Sequence, residues 1–221
     1  LGDVYKRQEF STRAGIGTAA TRPNMMDTQT YLALRQEAWE NDGGTGYVWL
    51  PNMTSAADDP ETRREAYLEA MARNTDWVNE TIGIGNKNAV NFGVRQGGER
   101  HNLYLGVSKD NNQSYLLGNS YDRTSGRVNF DWNPSNKMKI LLSGSLSRGE
   151  NNRIDAAWSG GLGDAMSNAL PYYPVRYGEN VYDANGNIEH ETGEYFLWAD
   201  EWGGTKNPVA VRELKKWKTT E

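Results

Sequence analysis

The chain has 221 residues, a formal net charge of -5 and a mean hydropathy of -0.81. With this acidic balance there is no basic stripe, which argues against nucleic-acid binding, and the absence of cysteine excludes disulfides and thiolate metal sites. No run of about 18 apolar residues is present, so the sequence predicts no transmembrane helix. The 24 glycines, 8 tryptophans and 12 tyrosines, beside only 37% hydrophobic residues, favour β-structure with long polar loops.

The first residues, LGDVYKRQ, are similar to a translated sequencing-adapter tail, and the chain has no initiating methionine. We therefore treat residues 1–8 as an artefact and expect the chain to be a fragment of a longer protein. A weak strand is predicted at 9–18. One helix is predicted from Asp27 or Thr28, and a second from Asp59 to Asn74. The segment TDWVNETIGIG is interpreted as a link into the next strand.

Four later segments alternate strictly between apolar and polar residues, which predicts strands near 86–95, 100–109, 120–132 and 137–148. The turns QGGE and NPSN join them into two hairpins. We expect antiparallel pairing in sequence order, because a one-residue slip would invert the facing of each strand. One common face should then carry Val90, Phe92, Leu103, Leu105, Val128, Phe130, Ile140 and Leu142.

Beyond residue 149 the only clear strand pair surrounds VYDANGNIEH, where Asn185-Gly186 is a strong hairpin signal. Asp183, Asn185 and Asn187 have the spacing of a calcium loop, but Ile188 stands where that loop needs glycine, so a hairpin turn is the better interpretation. A helix is predicted from about Pro208 to the end. We divide the chain into barrel strands over 9–148, with a helical loop at 19–85, and a long extracellular loop over 149–221.

Every second connection between the predicted strands is a tight turn, while the others are long. Outer-membrane barrels have this layout, with short periplasmic turns and long extracellular loops. No segment supplies a second sheet to cover the apolar face, whereas lipid would cover it in a barrel. We therefore predict an all-β fold: a fragment of an antiparallel transmembrane β-barrel of about five strands, with two short helices and long irregular extracellular loops. We expect Trp132 near the lower membrane interface, with Ile140 and Leu142 deeper.

Several short segments follow one another in the order found in one family. These are NTDWVNE, HNLYLGVS, RTSGRVNFDWNPSNKMKILLSGSLSRG, ALPYYPV, VYDANGN and KNPVA. Over residues 9 to about 215 this order resembles that of the SusC/RagA-like TonB-dependent outer-membrane transporters. No single motif is specific, and Trp132 and Gly83-Ile84-Gly85 depart from the family's usual residues.

The resemblance implies transport of glycan or peptide oligomers across the outer membrane of a Gram-negative bacterium. It implies a SusD-like surface lipoprotein as partner, contact with the TonB complex through an N-terminal region that this chain lacks, and outer-membrane lipid around the barrel. No cofactor and no catalytic residue are expected. The alternatives are a soluble carbohydrate-binding β-sheet module and a hydrolase using acidic pairs such as those among Glu189, Glu191 and Glu194, for which a solvated loop is the better interpretation.

Aromatic residues are frequent after residue 150. Their rings could stack on a sugar or contact a partner, or they could form the small core that orders a long loop, and the second interpretation is favoured. The candidates for contact with a ligand or partner are Trp158, Tyr172, Tyr173, Tyr195, Trp198 and Trp202.

Overall fold

The computed structural model describes residues 5–51, 59–154, 162–183, 185–198, 207–214 and 217–220. In chain order the elements are β1 (Tyr5–Gly17), α1 (Thr28–Asn41), α2 (Pro60–Met71), α3 (Trp77–Thr81), β2 (Gly85–Gly98), β3 (His101–Gln113), β4 (Ser120–Ser135), β5 (Met138–Arg153), α4 (Leu162–Asn168), β6 (Val181–Tyr182), β7 (Ile188–His190), α5 (Pro208–Leu214) and β8 (Trp217–Thr220). No helix in these ranges is long and apolar enough to cross a membrane.

The chain divides into two compact units. The first comprises residues 1–20, 83–153 and 216–221, and the second comprises residues 21–82 and 154–215. The first unit is a single antiparallel sheet with strand order β1-β2-β3-β4-β5-β8. The all-β, antiparallel fold class predicted from the alternation is therefore confirmed for this unit.

The register of the ladders confirms the predicted pairing and the common apolar face. Phe92 lies opposite Val107, and Leu105 lies opposite Val128. Residues directly opposite each other in a ladder point to the same side of the sheet. Successive pairs across β2 to β5 therefore place all eight predicted apolar side chains on one face.

The strands are longer than the alternation indicated. β2 continues through Gly98, so its tight turn to β3 is formed by residues 99–100. β3 continues to Gln113, so the connection to β4 is residues 114–119, shorter than predicted. β1 begins at Tyr5, opposite Gly97 and within the segment 1–8 that we had set apart. The added residues at the strand ends are mostly polar on both faces of the sheet, so no alternation of apolar and polar residues marks them in the sequence. Backbone hydrogen bonds extend the ladders over them.

The depth predicted for Ile140 is wrong. Ile140 is the direct cross-strand partner of Trp132, so the two side chains lie level on the apolar face. Leu142 lies one pair further from the turn, opposite Phe130. The reason is that β4 continues past Trp132 to Ser135, with a register shift between these two residues, and meets β5 in a two-residue turn at 136–137. Trp132 therefore lies further from the turn than the segment NPSN indicated.

The two predicted helices are present in the second unit, each with an aspartate cap. Asp27 accepts a hydrogen bond from the backbone N–H of Thr30 at 2.8 Å, and Asp59 accepts one from Thr62 at 2.9 Å. The segment interpreted as a link contains a third helix, α3, capped in the same way by Asp76. The sequence shows Asp76 as a possible cap, but α3 has only about one and a half turns. A helix this short has no repeating apolar pattern from which the sequence could predict it.

The second unit has a hydrophobic core to which both of its chain segments contribute. The indole N–H of Trp77 donates to the carbonyl of Leu170 at 2.9 Å, and the backbone N–H of Thr75 donates to the carbonyl of Pro171 at 2.7 Å. The described residues of 21–82 and of 154–214 therefore share one core, and the assignment of residues 149–221 to a long extracellular loop stays a prediction. The core residues are Leu32, Val48, Leu50, Ala70, Trp77, Ala169, Tyr172, Tyr173, Phe196, Trp198 and Val209.

The sequence also predicted a hairpin at Asn185-Gly186 and a helix from Pro208 to the end, and the structure confirms the first but not the full length of the second. The hairpin at Asn185-Gly186 is confirmed, with β6 paired to β7 and Gly186 at φ 82°, a conformation that favours glycine. The carboxylate of Asp183 accepts the backbone N–H groups of Asn185 and Asn187. The predicted C-terminal helix ends at Leu214, and residues 217–220 instead form β8, which pairs with β5.

We expect Trp77→Ala to lower the free energy of unfolding by about 3–5 kcal/mol, because it removes a buried ring and leaves the Leu170 carbonyl without its indole donor. Urea titration of the full chain in detergent, followed by near-ultraviolet circular dichroism of the aromatic core, measures the change. Trp49→Ala is the matched control, since Trp49 is 39% exposed and its loss should cost less than about 1 kcal/mol. Equal losses at the two positions would contradict this account of the core.

Candidate functional site

One face of the sheet is an exposed apolar band. On β4 it runs from Trp132 to Gly126, and the six steps between these residues span about 20 Å at roughly 3.4 Å per residue. At the end near Gly126 it is bordered by Thr124 and its cross-strand partners Lys109 and Arg148, which are polar. Phe10 is 69% exposed and Leu146 is 81% exposed. Within the described part of the chain, all of the buried hydrophobic side chains belong to the second unit, so the sheet has no core of its own.

The opposite face of the sheet is polar and carries positive charge. Among the residues paired in the ladders, this face carries seven basic side chains and three acidic ones. That is an excess of four positive charges, although the net charge of the whole chain is -5. Such a local excess attracts anionic groups whatever the charge of the whole chain. The basic residues are Arg7, Arg13, Lys87, Arg95, Arg123, Arg127 and Arg153, and the acidic ones are Glu9, Asp110 and Asp131.

A shallow depression of about 410 Å³ lies on this polar face. Its floor is made of small residues, and the hydroxyls of Ser108 and Ser125 are hydrogen-bonded across it at 2.6 Å. Glu9 forms ion pairs with Arg7 at 3.4 Å and with Arg95 at 3.8 Å. The small side chains keep this surface open, so that water and solutes have access to the charged groups.

Three of the predicted aromatic candidates lie in the core of the second unit. Tyr172 and Tyr173 are in edge contact with ring centroids 4.8 Å apart, and Tyr173 packs against Trp198 at 4.9 Å. All three are at most 5% exposed, so their ring faces are covered by protein. Burial raises the pKa of the Tyr172 phenol well above its usual range. Trp158 and Trp202 lie outside the described residues.

Tyr195, the remaining candidate, is part of a polar cluster at the surface of the second unit. The guanidinium of Arg176 lies 3.7 Å from the centroid of its ring, and its hydroxyl donates to the carboxylate of Glu213. Arg176 also pairs with that carboxylate at 3.4 Å. The hydrogen bond from Tyr195 holds the pKa of Glu213 below its usual range, and the hydrogen bond from Arg212 lowers it further by a smaller amount. One face of the Tyr195 ring is therefore occupied, and ligand contact at this residue stays a prediction.

A pocket of about 650 Å³ opens in the second unit. Three segments line it, at residues 22–31, 74–79 and 166–171. Sequence analysis did not predict this pocket, because the segments are far apart in the chain and none carries a motif for a ligand. The capped turn at Asp76 was the one local signal that part of its wall is ordered.

The acidic residues considered for hydrolysis lie around the β6–β7 hairpin. Glu189, Glu191 and Glu194 are all exposed, and Glu194 contacts His190 Nδ1 at 3.3 Å. The ring of His190 stacks on Tyr177 with centroids 4.5 Å apart. Among the described residues, no group of three or more metal-binding side chains is close enough to hold an ion.

No protein-family model matches the sequence, and no curated protein matches it. Among solved structures, the chain is similar in fold to a chain of the RagAB peptide importer in its closed-closed state. The TM-score is 0.55 and the sequence identity 17%, over 93% of this chain and 24% of that chain. This chain thus spans about a quarter of the length of the importer chain, and the similarity shows the fold.

We expect Tyr195→Phe to lower the free energy of unfolding by less than about 1 kcal/mol at pH 7, because Glu213 is 41% exposed and solvent screens its interactions. A carboxylate with a lowered pKa stabilises the fold above its ordinary pKa of 4.5, and that contribution is lost as the pH falls through the lower folded value. Urea titrations at pH 7 and pH 3 measure the free energy of unfolding of the variant and the wild type. The difference between the two proteins should be present at pH 7 and should vanish at pH 3.

Tyr182→Phe is the control for this comparison, since Tyr182 is 59% exposed and its hydroxyl has no hydrogen-bond partner in the described part of the chain. It should leave stability unchanged at both pH values. A penalty for Tyr195→Phe that is the same at pH 7 and pH 3 would show that the hydroxyl does not act through the Glu213 charge.

Proposed function

We propose that this chain forms part of the wall of a TonB-dependent transporter in the outer membrane of a Gram-negative bacterium. The apolar band lies against lipid, and the polar face lines the aqueous interior. The observation that carries the proposal is the exposed band itself, about 20 Å long on β4, bordered by polar residues and backed by a charged face. Transmembrane barrels have an outward apolar band roughly 25 Å tall and a polar interior.

A soluble carbohydrate-binding module fits these observations less well. In a soluble sheet the apolar face is covered by a second sheet or by helices. Here the buried hydrophobic side chains of the described residues all belong to the second unit. Three of the candidate aromatic rings, those of Tyr172, Tyr173 and Trp198, are packed in the core of that unit, so they are not available for stacking on a sugar.

The proposed cargo is a peptide or glycan oligomer, taken up with a SusD-like surface lipoprotein as partner. The similarity in fold to a chain of the RagAB peptide importer supports a transport role. The order of motifs over residues 9 to about 215 supports the same family. In this proposal the connections at the strand ends opposite the tight turns are extracellular, and the chain performs no catalytic step.

Arginine substitutions at two levels of the band test the proposal. Val128→Arg, near the middle of the band, should cost roughly 2–4 kcal/mol in a bilayer, whereas Trp132→Arg and Ile140→Arg, near the turn, should cost about 0–1 kcal/mol. Ser143→Arg on the polar face is the matched control and should leave folding nearly unchanged. Urea titration of the protein refolded into phospholipid vesicles measures each loss. Equal losses at positions 128 and 132 would mean that lipid does not cover this face.

The second prediction concerns solubility. In buffer without detergent, the full chain should form aggregates, because the sheet exposes a continuous apolar band and open strand edges. In detergent it should be monodisperse, as light scattering or size-exclusion chromatography would show. A monomer in plain buffer with one sharp thermal transition would contradict the membrane proposal and favour the soluble module.

A further inference from the structure

The pocket of the second unit has walls that are tied together. Arg22 donates to the side-chain oxygen of Asn79 at 2.7 Å and to the carbonyl of Ile82 at 2.8 Å. The backbone N–H of Thr28 donates to Asn74 Oδ1 at 3.0 Å. Thr75 and Trp77 donate to the carbonyls of Pro171 and Leu170, so segment 166–171 is joined to segment 74–79. Because hydrogen bonds join all three segments, the pocket is largely formed before anything binds.

Methionine side chains give this pocket its chemical character. Met25, Met26 and Met166, three of the six methionines of the chain, line it together with Tyr31 and Leu170. Met25 is 41% exposed and Met26 is 54% exposed. Thioether side chains are flexible and polarizable, so they adapt to apolar groups of different shapes. A volume of about 650 Å³ is within the range of pockets that hold small ligands or a few residues of a peptide.

Two amide groups on the pocket wall are available for hydrogen bonding. Asn74 Oδ1 accepts from Thr28, but Asn74 Nδ2 has no partner in the described part of the chain. The side-chain amide of Asn24 has no hydrogen bond to any described residue. A primary amide offers a hydrogen-bond donor and an acceptor, and so does a peptide bond. The side-chain amide of an asparagine can therefore form hydrogen bonds with the backbone of a bound peptide. Asp27 and Asp76 also line the pocket, but their carboxylates are used as helix caps.

We propose that this pocket binds an apolar side chain of a peptide, with Asn24 and Asn74 contacting the peptide backbone beside it. Only the assignment of that peptide as transported cargo rests on the proposed function. Methionine lining favours an aliphatic side chain, whereas a sugar would need an accessible aromatic face. Trp77 in this pocket is 3% exposed, and the half-buried ring of Tyr31 packs against Tyr172 with the ring centroids 6.0 Å apart. The pocket therefore selects a peptide with an aliphatic residue over a glycan.

Methyl NMR of the full chain, labelled with ¹³C at its methionine methyl groups and held in an amphipathic polymer, tests this directly. The probe is the peptide acetyl-Gly-Ser-Leu-Ser-Gly-amide. It should shift the signals of Met25, Met26 and Met166 and leave those of Met71 and Met138 unchanged, since neither lines the pocket. The same peptide with serine in place of leucine should bind at least about fivefold more weakly, because the aliphatic group is lost.

Substitutions separate the roles of the lining residues. Met26→Gln should weaken binding of the leucine peptide about fivefold, while Met71→Gln, at another exposed methionine of the second unit, should not change it. Asn24→Ala should weaken binding about threefold, and it removes no hydrogen bond seen among the described residues. Unchanged near-ultraviolet circular dichroism identifies the variants that are folded.

Three results would overturn the proposal: no shift with the leucine peptide, equal shifts with the serine peptide, or shifts with maltotriose in place of the peptide. The maltotriose result would assign the pocket to a glycan instead. The vesicle experiment does not involve this pocket, so a failure of the membrane proposal and a failure of the pocket proposal give different results.

Discussion

In the six-stranded sheet, each cross-strand pair fixes the side on which its two residues lie, and this constraint runs through the ladders from β1 to β5, with one register shift between Trp132 and Ser135. A slip of one residue in any ladder would exchange the apolar side chains of that strand for its polar ones. The apolar band and the basic face are therefore two consequences of one register. Both depend on backbone hydrogen bonds, since no hydrophobic side chain of the sheet is buried in the described residues.

The second unit is held together by different means. Its helices have thin apolar stripes, and α1 and α2 each bury only two residues, so neither could be stable alone. The rings of Tyr172, Tyr173 and Trp198 supply the apolar area that the helices lack, and hydrogen bonds from Thr75 and Trp77 join the two chain segments. Two long connections that are polar in composition thereby share one core and present an ordered surface.

This arrangement also bears on the class of ligand. Aromatic residues serve either a core or a sugar-binding surface, because a ring whose faces are covered by protein cannot stack on a ligand. In the described part of the second unit the candidate rings are packed or, at Tyr195, covered on one face by Arg176. Of the exposed large apolar side chains in the described residues, the two that line the pocket of this unit are Met25 and Met26. An aliphatic side chain is the better complement to such a surface.

The sequence by itself determined the central strands β2 to β5 of the sheet: their alternation, as around Val128 and Phe130, predicted these strands, their order and their common face, because the period of two is a local property. It predicted a helix where β8 lies. It also predicted α1, α2 and the Gly186 turn from caps and turn residues. Only the tertiary structure decided the strand ends, the level of Ile140 beside Trp132, and the shared core of residues 21–82 and 154–215. These depend on contacts between residues distant in the chain, such as Trp77 with Leu170, which leave no periodic trace in either segment.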